Sequence, residues 1–116
     1  MRRTRLTIGA AVAGLVLAMP SLAAPTVTTV TVTAGKPSEL RFTLSKTSVA
    51  KGAVTFKVAN KGKSSHDFKI AGKKTKLLAP GKSATLSVTL KAGKAPFLCT
   101  VPGHAAAGMK GTLTVK

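Results

Sequence analysis

Cys99-Thr100-Val101-Pro102-Gly103-His104-Ala105-Ala106-Ala107-Gly108-Met109 holds the single cysteine of the chain, one of its two histidines and one of its three methionines. The spacing is Cys-x4-His-x4-Met. Thiolate, imidazole and thioether make a soft donor set, and soft sulfur donors select copper over hard cations. A blue-copper centre takes two histidines and one cysteine, with a weak axial methionine. The stretch offers three of those four donors, and the only histidine left for the fourth is His66. If the site exists, its ligand set is His66, Cys99, His104 and Met109. Zinc accepts imidazole and thiolate too; the thioether favours copper.

Working outward from this stretch, residue parity predicts strands on both sides. Ala95, Phe97 and Cys99 share one face, so the cysteine points the same way as a core phenylalanine. Met109, Gly111, Leu113 and Val115 share a face after the loop, with Lys110, Thr112 and Thr114 opposite. His66, Phe68 and Ile70 form a third inward row, with Asp67 and Lys69 on the outer side. Earlier in the chain Val30 and Val32 alternate with Thr31 and Thr33. Leu40, Phe42 and Leu44 alternate with Arg41, Thr43 and Ser45, and Val54, Phe56 and Val58 with Thr55 and Lys57. Later, Leu86, Val88 and Leu90 face inward against Ser87 and Thr89. Alternation with one polar face marks half-buried antiparallel strands. Gly35-Lys36-Pro37, Lys51-Gly52, Pro80-Gly81 and Ala92-Gly93 punctuate them as turns. Residues 72–80 read as a basic irregular segment. About seven to eight strands with no sustained 3.6-residue period predict an all-β Greek-key sandwich.

Cys-Thr-Val-Pro-Gly-His followed by Ala-Ala-Ala-Gly-Met-Lys-Gly resembles the copper loop of the small blue-copper proteins, the cupredoxins. Four residues between Cys99 and His104 resemble the auracyanin and rusticyanin pattern rather than the shorter plastocyanin one. His66-Asp67-Phe68 resembles the first-histidine motif of the family, which often reads His-Asn; Asp67 departs from it. The resemblance covers the C-terminal third closely and implies a cupredoxin fold with one type 1 copper. It also implies an electron port at His104, where Pro102, Gly103, Ala105, Ala106, Ala107 and Gly108 are small and uncharged. Small residues also simply permit a tight loop. Thr100 is placed to bond the Asp67 side chain and tie the two copper loops together, the kind of support that fixes ligand geometry.

Residues 1–23 read as a secretory signal peptide. Arg2, Arg3 and Arg5 form a basic start, residues 6–19 are an uncharged apolar run, and Ser21-Leu22-Ala23 offers the small residues a signal peptidase reads. The run of 14 residues is short for a membrane span. Arg2-Arg3 leaves general and twin-arginine export both open. The domain expected to remain is 24–116, exported to a periplasmic or extracellular compartment. A lone thiol there should be occupied or protected, which a copper ligand would be.

The full chain carries 19 Lys and Arg against 2 Asp and Glu. Loss of the three leader arginines leaves a net charge of +14 on the remaining domain. Nucleic acid is the first partner such a charge suggests, but the chain has no Tyr or Trp and no interleaved aromatic platform, and it is read as exported. Redox partner proteins with acidic surfaces, or an anionic membrane or wall surface, fit better; general solubility explains the charge equally well. A monomer is expected.

Two histidines in all cannot furnish the second copper site that copper enzymes on related folds require, so no enzymatic activity is expected. Two functions remain. One is a shuttle of single electrons between redox partners by Cu(II)/Cu(I) cycling. The other is an extracytoplasmic copper carrier or storage protein.

Overall fold

The computed structural model describes residues 26–116, so the leader expected at 1–23 lies outside the described residues. Nine strands follow in order: β1 (Thr28–Ala34), β2 (Phe42–Leu44), β3 (Ser48–Val49), β4 (Gly52–Asn60), β5 (Lys69–Ile70), β6 (Lys73–Lys74), β7 (Ser83–Leu90), β8 (Gly93–Leu98) and β9 (Lys110–Val115). Among the described residues there is no helix. The strands form two sheets, β2-β1-β4-β7 and β3-β9-β8-β5-β6.

The alternation in the sequence builds these sheets. In β4, Val54, Phe56 and Val58 are buried while Lys57 is exposed. Side chains that alternate across a strand give one dry and one wet face. In the register with β1, Val30 lies beside Phe56 and Val32 beside Val58; against β7, Phe56 lies beside Leu86 and Val54 beside Val88. The opposing sheet contributes Ile70, Phe97, Leu113 and Val115 to the same core. All four phenylalanines of the chain meet there. Phe68 stands 5.4 Å from Phe42, 5.2 Å from Phe56 and 5.5 Å from Phe97, ring centre to ring centre. Burying a side chain of this size contributes about 1.5–3 kcal/mol.

Three features depart from the antiparallel, seven-to-eight-strand expectation. The sheets are mixed: β1 runs parallel to β4, and β3 parallel to β9. After the β1–β2 hairpin the chain enters the other sheet at β3 before returning as β4, and such a crossover aligns β4 with β1. The count is nine, because β3 and β6 have two residues each, too few to show a period. One of these, β6, lies in the segment expected to be irregular, where Lys69 pairs with Lys74 and Ile70 with Lys73. Finally, the row at 66–70 is a strand only at Lys69–Ile70; His66 joins Leu78 through an isolated bridge.

A second, smaller apolar cluster of Ala34, Cys99 and Met109 lies at one end of the sandwich, with Leu40, Phe42 and Val101 packed against it. Ala34 ends β1, Cys99 follows β8 and Met109 precedes β9. Phe42 touches both clusters, so the donor-bearing end rests on the main core.

Candidate metal centre

Cys99 and Met109 adjoin strand ends, His104 lies in the loop between them, and His66 sits in an isolated bridge. The Cys99 amide donates to the Met109 carbonyl at 3.1 Å, closing the 99–109 loop at its base. Inside it, the His104 amide donates to Val101 at 3.0 Å and the Met109 amide to His104 at 3.0 Å. Ala107 and Gly108 donate back to Gly103 and Ala105. The loop is therefore a series of tight turns with its own hydrogen bonds. The third segment, at His66, is held by reciprocal bonds with Leu78: His66 N–H to Leu78 C=O at 3.0 Å and Leu78 N–H to His66 C=O at 2.8 Å.

These segments bring His66, Cys99 and His104 together, with one donor atom from each lying within 4.8 Å of the others. His66 Nδ1 faces His104 Nδ1 at 3.2 Å, and Cys99 Sγ lies 3.7 Å from His104 Nδ1. His66, Cys99 and Met109 are buried, and His104 sits at the surface edge. Met109 packs in the Cys99 cluster. The inward parity read for His66, Cys99 and Met109 thus matches their burial. Two imidazoles, a thiol and a thioether at one point make a donor set suited to copper. Burial pushes the Cys99 thiol above its ordinary value; the backbone amides of Asp67 and Val101 oppose this, and the Asp67 carboxylate adds to it.

Asp67 is buried rather than turned outward as its parity implied. It accepts a hydrogen bond from the Thr100 amide at 2.6 Å and another from the Thr100 hydroxyl. The expected link between the two loops is present, and its pairing is what allows a carboxylate inside the fold.

Three further residues shape the site without having been singled out in the sequence. Asn60 is fully buried; its Nδ2 donates to Ser64 and Leu78 carbonyls, each at 2.8 Å, and its Oδ1 accepts from Gly62 N–H at 2.9 Å. It fixes the chain leading into His66. Arg41 donates from Nη1 to the Ala107 carbonyl at 3.0 Å, pinning the far side of the copper-type loop. Gly108 has φ 112° and lies against the Arg41 guanidinium, which a Cβ would meet. Glu39 places Oε2 3.4 Å from His66 Nε2, while its Oε1 accepts from the Lys63 and Ser64 amides at 2.6 Å each. Desolvation acts to raise the Glu39 carboxyl, but the amides of Lys63 and Ser64, joined by His66, outweigh it and hold it below its ordinary value. Rarity was the available signal: Glu39 and Asp67 are the only two acidic residues in the chain.

The comparisons agree with this architecture. The model of the cupredoxin-like domain matches residues 7–115, and the chain belongs to that family. Among solved structures, auracyanin A, a "blue" copper protein from Chloroflexus aurantiacus, superposes with a TM-score of 0.66 at 21% identity, over 78% of this chain and 100% of that one. Auracyanin B gives 0.66 at 25% identity, over 80% and 91%. Rusticyanin from Thiobacillus ferrooxidans gives 0.68 at 23% identity, over 78% and 77%. A local match links the chain to the copper-resistant cuproprotein CopI of Pseudomonas aeruginosa, 54% identical over 41 residues. That match takes in 34% of this chain and 23% of CopI, under a quarter of the relative's length.

Proposed function

We propose that this protein is an exported type 1 copper protein that passes single electrons between redox partners, with His66, Cys99, His104 and Met109 as its copper ligands and 24–116 as its working domain. The observation that carries this reading is the convergence of His66, Cys99 and His104 donor atoms within 4.8 Å of one another, beside a buried Met109. Copper held there supplies one-electron chemistry between Cu(II) and Cu(I). The chain's own part is positional. Hydrogen bonds at Leu78, Val101 and Met109 fix the donor-bearing backbone, and the buried apolar cluster keeps water from the sulfur donors. His104 stands at the rim, with Pro102, Gly103, Ala106 and Ala107 exposed around it. A small neutral surface of that kind suits brief contact with a redox partner. The exposed lysines fit acidic partner surfaces, or an anionic membrane or wall.

A second reading, an extracytoplasmic copper carrier or storage protein, draws on the local match to CopI. Loading the purified domain with copper(II) tests the site. One copper per chain and an intense sulfur-to-copper charge-transfer band are expected, with the band lost in Cys99→Ser. A Cys99→Ser protein that stays blue refutes the ligand assignment. Reversible voltammetric cycling without copper loss supports the shuttle; copper passing readily to an apo acceptor supports the carrier.

A further inference from the structure

Of the two nitrogens of His66, Nδ1 is turned toward His104 Nδ1 at 3.2 Å, and Nε2 toward Glu39 Oε2 at 3.4 Å. The Glu39 carboxylate is itself held in place: Oε1 takes the Lys63 and Ser64 amide hydrogens, both at 2.6 Å. Its seat depends on Gly62, where a Cβ would overlap Oε2 and stand 3.0 Å from His66 Nε2. A neutral imidazole carries one N–H, and an ionised carboxylate only accepts. Glu39 therefore draws the ring proton to Nε2 and leaves the Nδ1 lone pair facing the other donors.

We propose that Glu39 is a positioning residue for metal uptake, fixing the tautomer and orientation of His66 before the metal arrives. This rests on the copper reading above. Histidine ligands generally donate their second N–H to such a partner, and loss of the partner costs about 10–100-fold in metal affinity.

Glu39→Gln isolates the effect. The two backbone amides that now meet Oε1 require an oxygen there, so the amide NH2 of glutamine is turned to His66 Nε2. A donor then faces Nε2, and the ring proton is driven to Nδ1, where a metal must displace it. The loop anchors and the side-chain volume are kept, so the variant should fold with a melting temperature close to that of the unsubstituted protein.

Two measurements decide the matter. In the metal-free, 15N-labelled domain, held above the ordinary imidazole pKa of about 6.5, long-range 1H–15N correlations report the tautomer of each of the two histidines. His66 should carry its proton on Nε2, and on Nδ1 in Glu39→Gln. Copper(II) titration against a competing chelator should then show about 10–100-fold weaker binding in the variant. A proton on Nδ1 in the unsubstituted protein, Nε2–H retained in Glu39→Gln, or affinity unchanged within about twofold each overturns the proposal. If the unsubstituted domain takes up no copper, the copper reading falls and the uptake role with it, while the tautomer assignment is still decided in the metal-free protein.

Discussion

Asp67→Ala would break the carboxylate bridge between the His66 segment and the Cys99 loop. Asp67 is 5% exposed, and both bonds from Thr100 end on its carboxylate. A hydrogen bond to a charged group contributes about 1.5–3 kcal/mol, so the gross loss is about 3–6 kcal/mol for two. Relief from keeping a charge inside the fold offsets part of this, which places the expected loss near the lower end, about 3 kcal/mol. In a domain of this size each 1 kcal/mol moves the melting temperature by about 4–8 °C, so a fall of about 12–24 °C is expected. Asp67→Asn should be far milder. Its oxygen still accepts from the Thr100 amide, and its NH2 can donate to the Thr100 hydroxyl, which turns to accept. Neutral bonds are about half as strong as charge-assisted ones, so a loss of about 1–2 kcal/mol is expected. Thermal unfolding of the metal-free domain, followed by circular dichroism, reads both. A double-mutant cycle of Asp67→Ala with Thr100→Val should give a coupling of at least about 0.5 kcal/mol. An alanine variant within about 1 kcal/mol of the starting protein, or an asparagine variant as damaged as the alanine one, refutes the reasoning.

Met109→Gln should keep copper but lower the reduction potential, because a weak axial thioether favours Cu(I) more than an amide oxygen does; an unchanged voltammetric potential removes Met109 from the ligand set. Raising pH above about 8.5, the ordinary thiol value, should lower the melting temperature of the metal-free domain more than that of Cys99→Ala. Burial raises the folded Cys99 pKa, outweighing the backbone amides of Asp67 and Val101 that lower it, so its stabilising contribution is present below the unfolded value and lost as pH climbs through the folded one. Electron transfer to an acidic partner should fall with added salt, since the screening length is about 8 Å at physiological ionic strength. Charge reversal at Lys73, Lys74 and Lys76 should slow association with little change in potential, whereas Ala106→Lys should hinder close approach beside His104. Transfer rates insensitive to both changes, with the copper site intact, would count against the shuttle.

The donor loop was legible because three candidate ligands fall within eleven residues and strand parity alone turns Cys99 and Met109 inward. The Asp67–Thr100 link was legible too, since both residues neighbour candidate ligands. Parity failed at Asp67 itself: the pairing around His66 is a single bridge, so strict alternation does not apply there, and the two Thr100 bonds make burial tolerable. Arg41 and Glu39 escaped notice because their contacts span 66 and 24 to 27 residues of chain and follow no period. Asn60-Lys61-Gly62 reads locally as the end of a strand, which it is; that the Asn60 side chain also reaches Leu78 is a property of the fold. Parallel pairing of β1 with β4 likewise depends on which sheet receives β3, and two residues carry no signal for that.

The edge strand β6 has a consequence for how the protein should be handled. Lys73 and Lys74 are both exposed, and Lys74 lies opposite Lys69. Open sheet edges invite pairing with a second chain, and lysines are one means of discouraging it. Another molecule adding its own β6 here would lay like charges side by side, so this border is guarded by repulsion. Repulsion of that kind is lent by the solvent: the screening length is about 10 Å in 0.1 M salt and about 3 Å in 1 M. Concentrated salt, often chosen to keep a cationic protein off columns and glass, would disarm this guard, and dilute buffer is the safer storage medium.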